Sequence, residues 1–220
     1  MLSDVVIAAL NCHGYQDGST AFNTNINVDG VVISCEKIKY LEPAHEVESV
    51  LYTLPDMHVL VMRGTEAGVN QRKWYVNWMD ILRDVRFIPW RTPFGWGHSG
   101  FYKGARAWVE KHGAELPTDK PLVISGHSMG AQIAVWLGFL SPIRPARIVV
   151  FAEPRGFFAT SKEEYRKREL DVITRSYITN RDWIEDVPPW GKRSVVPQYA
   201  GEGTHAITDY LAALRKRYNV

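Results

Sequence analysis

Leu122-Val123-Ile124-Ser125-Gly126-His127-Ser128-Met129-Gly130-Ala131 is the stretch whose reading decides the fold. Leu122 to Ser125 have strand character, Gly-His-Ser-Met-Gly comes next, and an apolar segment with helical character begins at once. This is a G-x-S-x-G nucleophile elbow in the strand-to-helix setting that its mechanics require. In such an elbow the serine sits on a turn too sharp for a relaxed backbone. The flanking glycines, Gly126 and Gly130, let strand and helix pass without a Cβ clash. The Ser128 hydroxyl is thereby lifted above a sheet, with the first N–H groups of a helix aimed at whatever it attacks.

A serine hydroxyl is a poor nucleophile until a base takes its proton, and the base needs a carboxylate to orient it. On α/β-hydrolase elbows these partners come in the order Ser, then Asp or Glu, then His. Of the 7 histidines only His205 lies after Ser128, so it is the one candidate base. Gly201, Gly203 and Thr204 make a loop before it, and a helix is expected just after it. The N-terminus of that helix disfavours imidazolium and keeps the ring able to accept a proton. For the acid, Asp182 stands just beyond the expected strand Val172 to Thr179, at the edge where open α/β sheets bind ligands. Asp186 is its rival, Glu153 a more distant one, and Asp209 is placed only to cap or orient the loop of His205. Acyl transfer also needs oxyanion donors. One is the N–H of Met129, after the nucleophile; the other is assigned to Thr65, after Arg63-Gly64, where the glycine is expected to allow a turn.

The rest of the chain alternates strands and helices. Leu2 to Leu10 reads as a short helix capped by Ser3 or Asp4. Val28-Asp29-Gly30-Val31 reads as a hairpin turn leading into a strand from Val32 to Tyr40. Glu42 to Leu51 has helical propensity, with Pro43 near its start where proline is tolerated. His58 to Met62 has the continuous apolar character of a strand buried on both faces. Helices are expected at Phe101 to Lys111, Met129 to Leu140, Ser161 to Leu170 and Thr204 to Arg217. A further strand is expected at Arg147 to Phe151, and Asn180 to Tyr199 reads as loop. The pattern predicts one α/β domain over residues 1–220, with a mostly parallel sheet covered on both faces.

Residues 66–97 stand apart. Trp74, Trp78, Leu82, Val85 and Ile88 fall at helical spacing, with Lys73, Asn77, Asp80 and Asp84 opposite them. Pro89 and Pro93 end that pattern, and Gly95 and Gly97 loosen the chain beyond it.

Composition excludes several functions. The chain is 45% hydrophobic and 23% charged with a formal net charge of +2, which is ordinary for a globular protein and unlike a nucleic-acid binder. Cys12 and Cys35 match no metal spacing and no disulfide framework, so buried free thiols are expected. No His-Glu-x-x-His or Cys pairing occurs, and neither metal nor cofactor is expected. The start of the chain lacks the basic residues and apolar length of an export signal, and no segment is long enough to span a bilayer. A cytoplasmic location is therefore expected, with export by another route and the oligomeric state left open.

Taken together in their order, these motifs resemble the class 3 lipase family, the group of filamentous-fungal triacylglycerol lipases and related esterases. Val61-Met62-Arg63-Gly64-Thr65 resembles its strand ending in Arg-Gly-Ser/Thr. Asn77-Trp78-Met79-Asp80-Ile81-Leu82 resembles its Asn-Trp-x-x-Asp-Leu element with the acid one place early. His98-Ser99-Gly100-Phe101 resembles its His-x-Gly-Phe, and the elbow carries the family's His and small residues. Phe151-Ala152-Glu153-Pro154-Arg155 resembles Phe-Gly-x-Pro-Arg, with Ala152 and Glu153 departing from it. Asn180 to Pro189 resembles Asn-x-x-Asp-x-Val-x-x-Leu-Pro-Pro with one residue missing, a match that also puts the triad acid at Asp182. The resemblance implies an α/β-hydrolase fold, a Ser128–Asp182–His205 triad, and an oxyanion hole from Thr65 and Met129.

In that family the segment after Arg-Gly-Ser/Thr is a lid, so residues 66–97 are the candidate lid, with Trp74 and Trp78 on its apolar face. The alternative is a helix that packs those tryptophans into the core. Trp183, Trp190 and Tyr199 flank the presumed acid and base and are candidate substrate contacts. The expected partner is a lipid or other apolar ester, with transient contact at a lipid interface through the lid. Three functions stay open: a lipase or esterase, a phospholipase A with the same triad, and a catalytically silent protein that binds lipid or a partner.

Overall fold

His58-Val59-Leu60-Val61-Met62 is apolar throughout because both of its faces are covered, and every residue of this strand is buried. The computed structural model describes residues 3–15, 25–45, 47–64 and 88–220. Within them lie β1 (Asn25–Val28), β2 (Val31–Ser34), β3 (Lys37–Ala44), β4 (Val47–Thr53) and β5 (His58–Met62). β6 (Pro89–Thr92), β7 (Gly95–His98), β8 (Leu122–His127), β9 (Arg147–Phe151), β10 (Thr174–Thr179) and β11 (Gln198–Gly201) come after them. The helices are α1 (Asp4–Gly14), α2 (Ser99–His112), α3 (Met129–Leu140), α4 (Ala159–Lys167) and α5 (Ile207–Tyr218).

Seven strands form the central sheet in the order β11-β10-β9-β8-β5-β4-β3. β5, β8, β9, β10 and β11 run parallel, while β3 and β4 add an antiparallel edge. Strand residues alternate between two cores, as the two-residue period of a strand requires. Val59, Val61, Val123, Val149 and Phe151 point to one face, under Ile7 and Leu10 of α1 and Tyr210, Leu211 and Leu214 of α5. Leu60, Met62, Ile124, Ile148 and Val150 point to the other, under Phe101 and Trp108 of α2, Trp136 of α3 and Tyr165 of α4. Cys12 and Cys35 are free and buried in the first core. Among the described residues no helix is long and apolar enough to cross a membrane.

The α1 cap is as expected: the Ser3 hydroxyl accepts the Val6 N–H at 3.3 Å. The elbow strand and its helix also stand where expected. Four expectations are corrected. Glu42 to Leu51 is not helical but forms most of a hairpin between β3 and β4. Its glutamates favour a helix only locally. Val50 and Tyr52 fill one core while Val47 and Leu51 fill the other, an alternation that β pairing with β5 rewards and a helix could not satisfy. Pro43 is accommodated because β3 lies at the sheet edge. The single strand expected from Val32 to Tyr40 is broken at Cys35-Glu36, so that β2 pairs with β1 and β3 joins the main sheet.

The third correction concerns the end of the candidate lid. Residues 89–98 are not a loosened segment but the hairpin β6–β7. It is tied to the start of α4: Trp96 donates its N–H to Thr160 Oγ1 at 2.8 Å, and its carbonyl accepts from Ser161 Oγ at 2.6 Å. A Cβ on Gly97 would lie 2.3 Å from the buried Trp136 ring, so the hairpin rests directly on the core. Fourth, the expected loop Asn180 to Tyr199 contains a 3-10 turn at Ile184–Asp186 and ends in the edge strand β11.

Candidate active site

Ser128 adopts φ 60° and ψ −126°, a conformation that side chains resist. Such strain costs on the order of 1–3 kcal/mol and persists only where the surroundings enforce it. Here the Ser128 N–H donates to the Phe151 carbonyl at 3.0 Å, and the Ser128 carbonyl accepts the Ala131 N–H at 3.0 Å. Both neighbouring glycines are dictated by close approach. A Cβ on Gly126 would fall 2.3 Å from the Gly130 carbonyl oxygen, and one on Gly130 would fall 2.2 Å from that of Met62. β8, the first turn of α3 and the end of β5 therefore converge on Ser128.

Gly64 belongs to the same convergence. A Cβ there would lie 3.2 Å from Ser128 Cβ and 2.8 Å from the His127 carbonyl oxygen. The missing side chain of Gly64 therefore serves this close contact. Thr65, Trp74 and Trp78 lie outside the described residues. Met129 opens α3 directly after Ser128.

Three residues far apart in the chain meet at the elbow. His205 Nε2 lies 2.9 Å from Ser128 Oγ, and His205 Nδ1 lies 2.9 Å from each Asp182 oxygen. All three are buried, with Asp182 only 4% exposed. Burial pushes the Asp182 pKa up. The hydrogen bond to His205, the His205 charge and the Tyr210 hydroxyl outweigh it, and the pKa ends below the ordinary value. An ionised carboxylate only accepts, so His205 Nδ1 carries the hydrogen, and in the neutral ring Nε2 then turns a lone pair to the Ser128 hydroxyl. Asp182 is itself held by the Ile184 N–H on Oδ1 at 3.0 Å and by the Tyr210 hydroxyl on Oδ2 at 2.7 Å.

The rival acids are engaged elsewhere. Asp186 pairs with Arg155 and, at 3.5 Å, with Arg193. Glu153 is wholly buried and accepts from Gln132 Nε2 at 2.8 Å, the Ser194 N–H at 2.8 Å and Ser194 Oγ at 3.0 Å. It joins the end of β9 to α3 and the loop before β11, and burial raises its pKa. Asp209 accepts both the N–H and the hydroxyl of Thr204 at 2.7 Å, which steadies the turn before His205. Trp183 precedes the 3-10 turn next to Asp182. Trp190 stacks on Phe158, at the start of α4, with ring centres 5.0 Å apart.

Sequence reasoning missed Tyr15, His127 and Tyr210. Tyr15 Oη accepts the Gly64 N–H at 2.7 Å and lies 3.2 Å from His127 Nδ1, while His127 Nε2 lies 2.7 Å from the His205 carbonyl oxygen. The only sequence signal was the position of His127 inside the elbow; nothing local marks Tyr15, because its partner is 112 positions away. Among the described residues no group of three or more His, Cys, Asp or Glu is disposed to hold a metal ion.

No family model matches the chain, and no curated protein matches it in sequence. Solved structures do match. The Lip2 lipase of Yarrowia lipolytica is 16% identical at a TM-score of 0.64, with 88% of this chain and 76% of that one covered. The triacylglyceride lipase of Rhizomucor miehei is 14% identical at a TM-score of 0.67, covering 90% of this chain and 79% of that one. The chain is an α/β hydrolase in fold. Lipase II from Rhizopus niveus, 18% identical at a TM-score of 0.53, aligns with 70% of this chain, which spans only 61% of its length. At these identities the likeness is one of fold, and the α/β-hydrolase sheet and helices are what these proteins share with it.

Proposed function

We propose that this α/β hydrolase is a serine carboxylic-ester hydrolase acting on lipid or other apolar acyl esters, with residues 1–220 forming one catalytic domain. The observation that carries the reading is the hydrogen-bonded line Ser128–His205–Asp182, each link at 2.9 Å, on a strained elbow. Ser128 Oγ attacks the ester carbonyl while His205 Nε2 takes its proton. The oxyanion that forms is met by the Met129 N–H at the positive end of α3, with Thr65 as the second donor. The intermediate collapses, His205 returns the proton to the leaving alcohol, and an acyl-Ser128 remains. Water, deprotonated by His205, then attacks the acyl carbon; the bond to Ser128 Oγ breaks as His205 returns the proton to it, and the acid is released. Asp182 stays ionised throughout, holding the His205 tautomer and offsetting its transient positive charge.

The substrate class draws on the neighbours of this fold, which are named as lipases, one of them as a triacylglyceride lipase. Ser128→Ala tests the reading. Turnover of a p-nitrophenyl ester should fall by at least about 10⁴-fold, and labelling of Ser128 by a fluorophosphonate should vanish while the variant stays folded. Retained turnover in the folded variant sinks the proposal. Parallel assays on triglyceride and phospholipid decide which lipid ester is preferred.

A further inference from the structure

The hydrogen bonds around Tyr15 and His127 form one chain, and each of its protons can be placed by elimination. The His205 carbonyl oxygen only accepts, so His127 Nε2, 2.7 Å away, carries its hydrogen. Burial, reinforced by the charge of His205, lowers the His127 pKa to about 3, so the ring is neutral and Nδ1 bears a lone pair. That lone pair faces the Tyr15 hydroxyl at 3.2 Å and accepts its proton. Burial pushes the Tyr15 phenol well above its ordinary range, so the proton is always there to donate. The Tyr15 oxygen is left to accept the Gly64 N–H at 2.7 Å. The polarity runs one way, from Gly64 through Tyr15 and His127 to His205.

Both ends of this chain are main-chain groups. One end is the N–H of Gly64, which packs on Ser128 and directly precedes Thr65, the proposed oxyanion donor. The other is the carbonyl of the residue that faces the Ser128 hydroxyl. We propose that Tyr15 and His127 are positioning residues that brace the oxyanion side of the site against the base. The inference rests on the ester-hydrolase reading above and adds to it a device that the elbow motif does not specify.

The brace answers a mechanical need. His205 lies between a loop and α5, and His127 Nε2 donates to its carbonyl. The rings of His127 and His205 lie with centres 4.8 Å apart at 38°. A neutral His127 can therefore support His205 without setting a second positive charge beside it when it becomes imidazolium. At the other end the fit is tight: a Cβ on Gly64 would stand 2.6 Å from Tyr15 Oη. The Arg63 guanidinium lies over the Tyr15 ring at 5.7 Å and fixes its plane.

The test combines kinetics with a readout that needs no turnover. In Tyr15→Phe, kcat for a p-nitrophenyl ester should fall by about 10- to 100-fold with KM changed less than about twofold, the signature of misplaced reacting groups. His127→Leu should fall similarly, and the Tyr15→Phe/His127→Leu double variant should be no worse, because the two act as one chain. His127→Gln, whose amide can donate to the His205 carbonyl and accept from Tyr15, should regain most of the loss. Nitrogen-15 NMR of the imidazoles should show His127 as the neutral Nε2–H tautomer from about pH 5 to about pH 9, with the ring titrating higher in Tyr15→Phe. Should Tyr15→Phe fail to fold, the comparison of His127→Gln with His127→Leu carries the test. A folded Tyr15→Phe with the kcat and pH profile of the parent overturns the brace, as does a His127 found in the Nδ1–H form. A parent protein that hydrolyses no ester while His127 keeps the Nε2–H tautomer overturns the ester-hydrolase reading instead, and the positioning role with it.

Discussion

Tyr210 donates its hydroxyl to Asp182 Oδ2 at 2.7 Å, reaching it from α5, the helix that begins just after His205. The helix next to His205 thus also holds Asp182, and the spacing of the two is set by one rigid element. Tyr210 is fully buried between α5 and the sheet, so its hydrogen bond to Asp182 is shielded from solvent. Tyr210→Phe should cost about 1–3 kcal/mol of stability, the range for a lost hydrogen bond to a buried charge. It should also lower kcat by about tenfold through a less well-held His205. Urea denaturation and steady-state kinetics on one preparation check both.

The proposed triad uses Asp182 and not Asp186. Asp182→Asn should keep the fold yet lower kcat by about 10⁴-fold, because an amide no longer enforces the His205 tautomer that leaves Nε2 free to accept. Asp186 pairs with Arg155 and Arg193 while about two-thirds exposed (65%). Exposed pairs contribute about 0–1 kcal/mol, so Asp186→Asn should leave kcat within about twofold of the parent. Equal losses in the two variants would move the acid away from Asp182.

Gly130→Ala should be among the most damaging single substitutions. Its Cβ would meet the main-chain oxygen of Met62 at 2.2 Å and atoms of Arg63 at 2.8 Å. Backbone atoms cannot rotate aside as a flexible side chain would, so α3 must move off the end of β5. A loss of about 3 kcal/mol or more is expected, read as a lower Tm or loss of folded protein. A normal Tm would mean that the elbow has slack the geometry does not contain.

Acid should destabilise the protein through His127. In the unfolded chain this ring takes a proton near its ordinary pKa of 6.5, whereas in the fold burial holds it neutral down to about 3. Between those values the unfolded state binds more protons, so stability falls as pH falls, by about 1.4 kcal/mol per pH unit from this residue. Asp182, with its pKa lowered in the fold, acts in the same sense further down: its contribution is present above the ordinary value and lost as pH falls through the folded one. Glu153, raised by burial, acts oppositely, its contribution being lost as pH rises through its folded pKa. Denaturation midpoints at about pH 7 and about pH 5 should differ less in His127→Gln than in the parent. Equal differences would show that His127 is not held neutral.

The sequence by itself determined the chemistry-bearing core of this protein. Ser128 between two glycines, after a strand and before a helix, announces an elbow, because only that backbone shape demands those residues so close together. Chain order then leaves His205 as the one candidate base, and the position of Asp182 after a strand favours it over Asp186 as the candidate acid. His58 to Met62, Leu122 to Ser125 and Arg147 to Phe151 were legible as strands because each is a short, largely apolar run. Tertiary structure decided the rest. Glu42 to Leu51 carries local helical propensity, and only pairing of β3 with β4 and of β4 with β5 makes it part of a hairpin. The hairpin of Pro89 to His98 is held by α4 and by the Trp136 ring, partners its own sequence does not reveal. Tyr15, His127 and Tyr210 became visible only when folding brought them to Gly64, His205 and Asp182. Period and spacing record what a residue does to its near neighbours in the chain, whereas a hydrogen bond between Tyr15 and His127 is a fact about space.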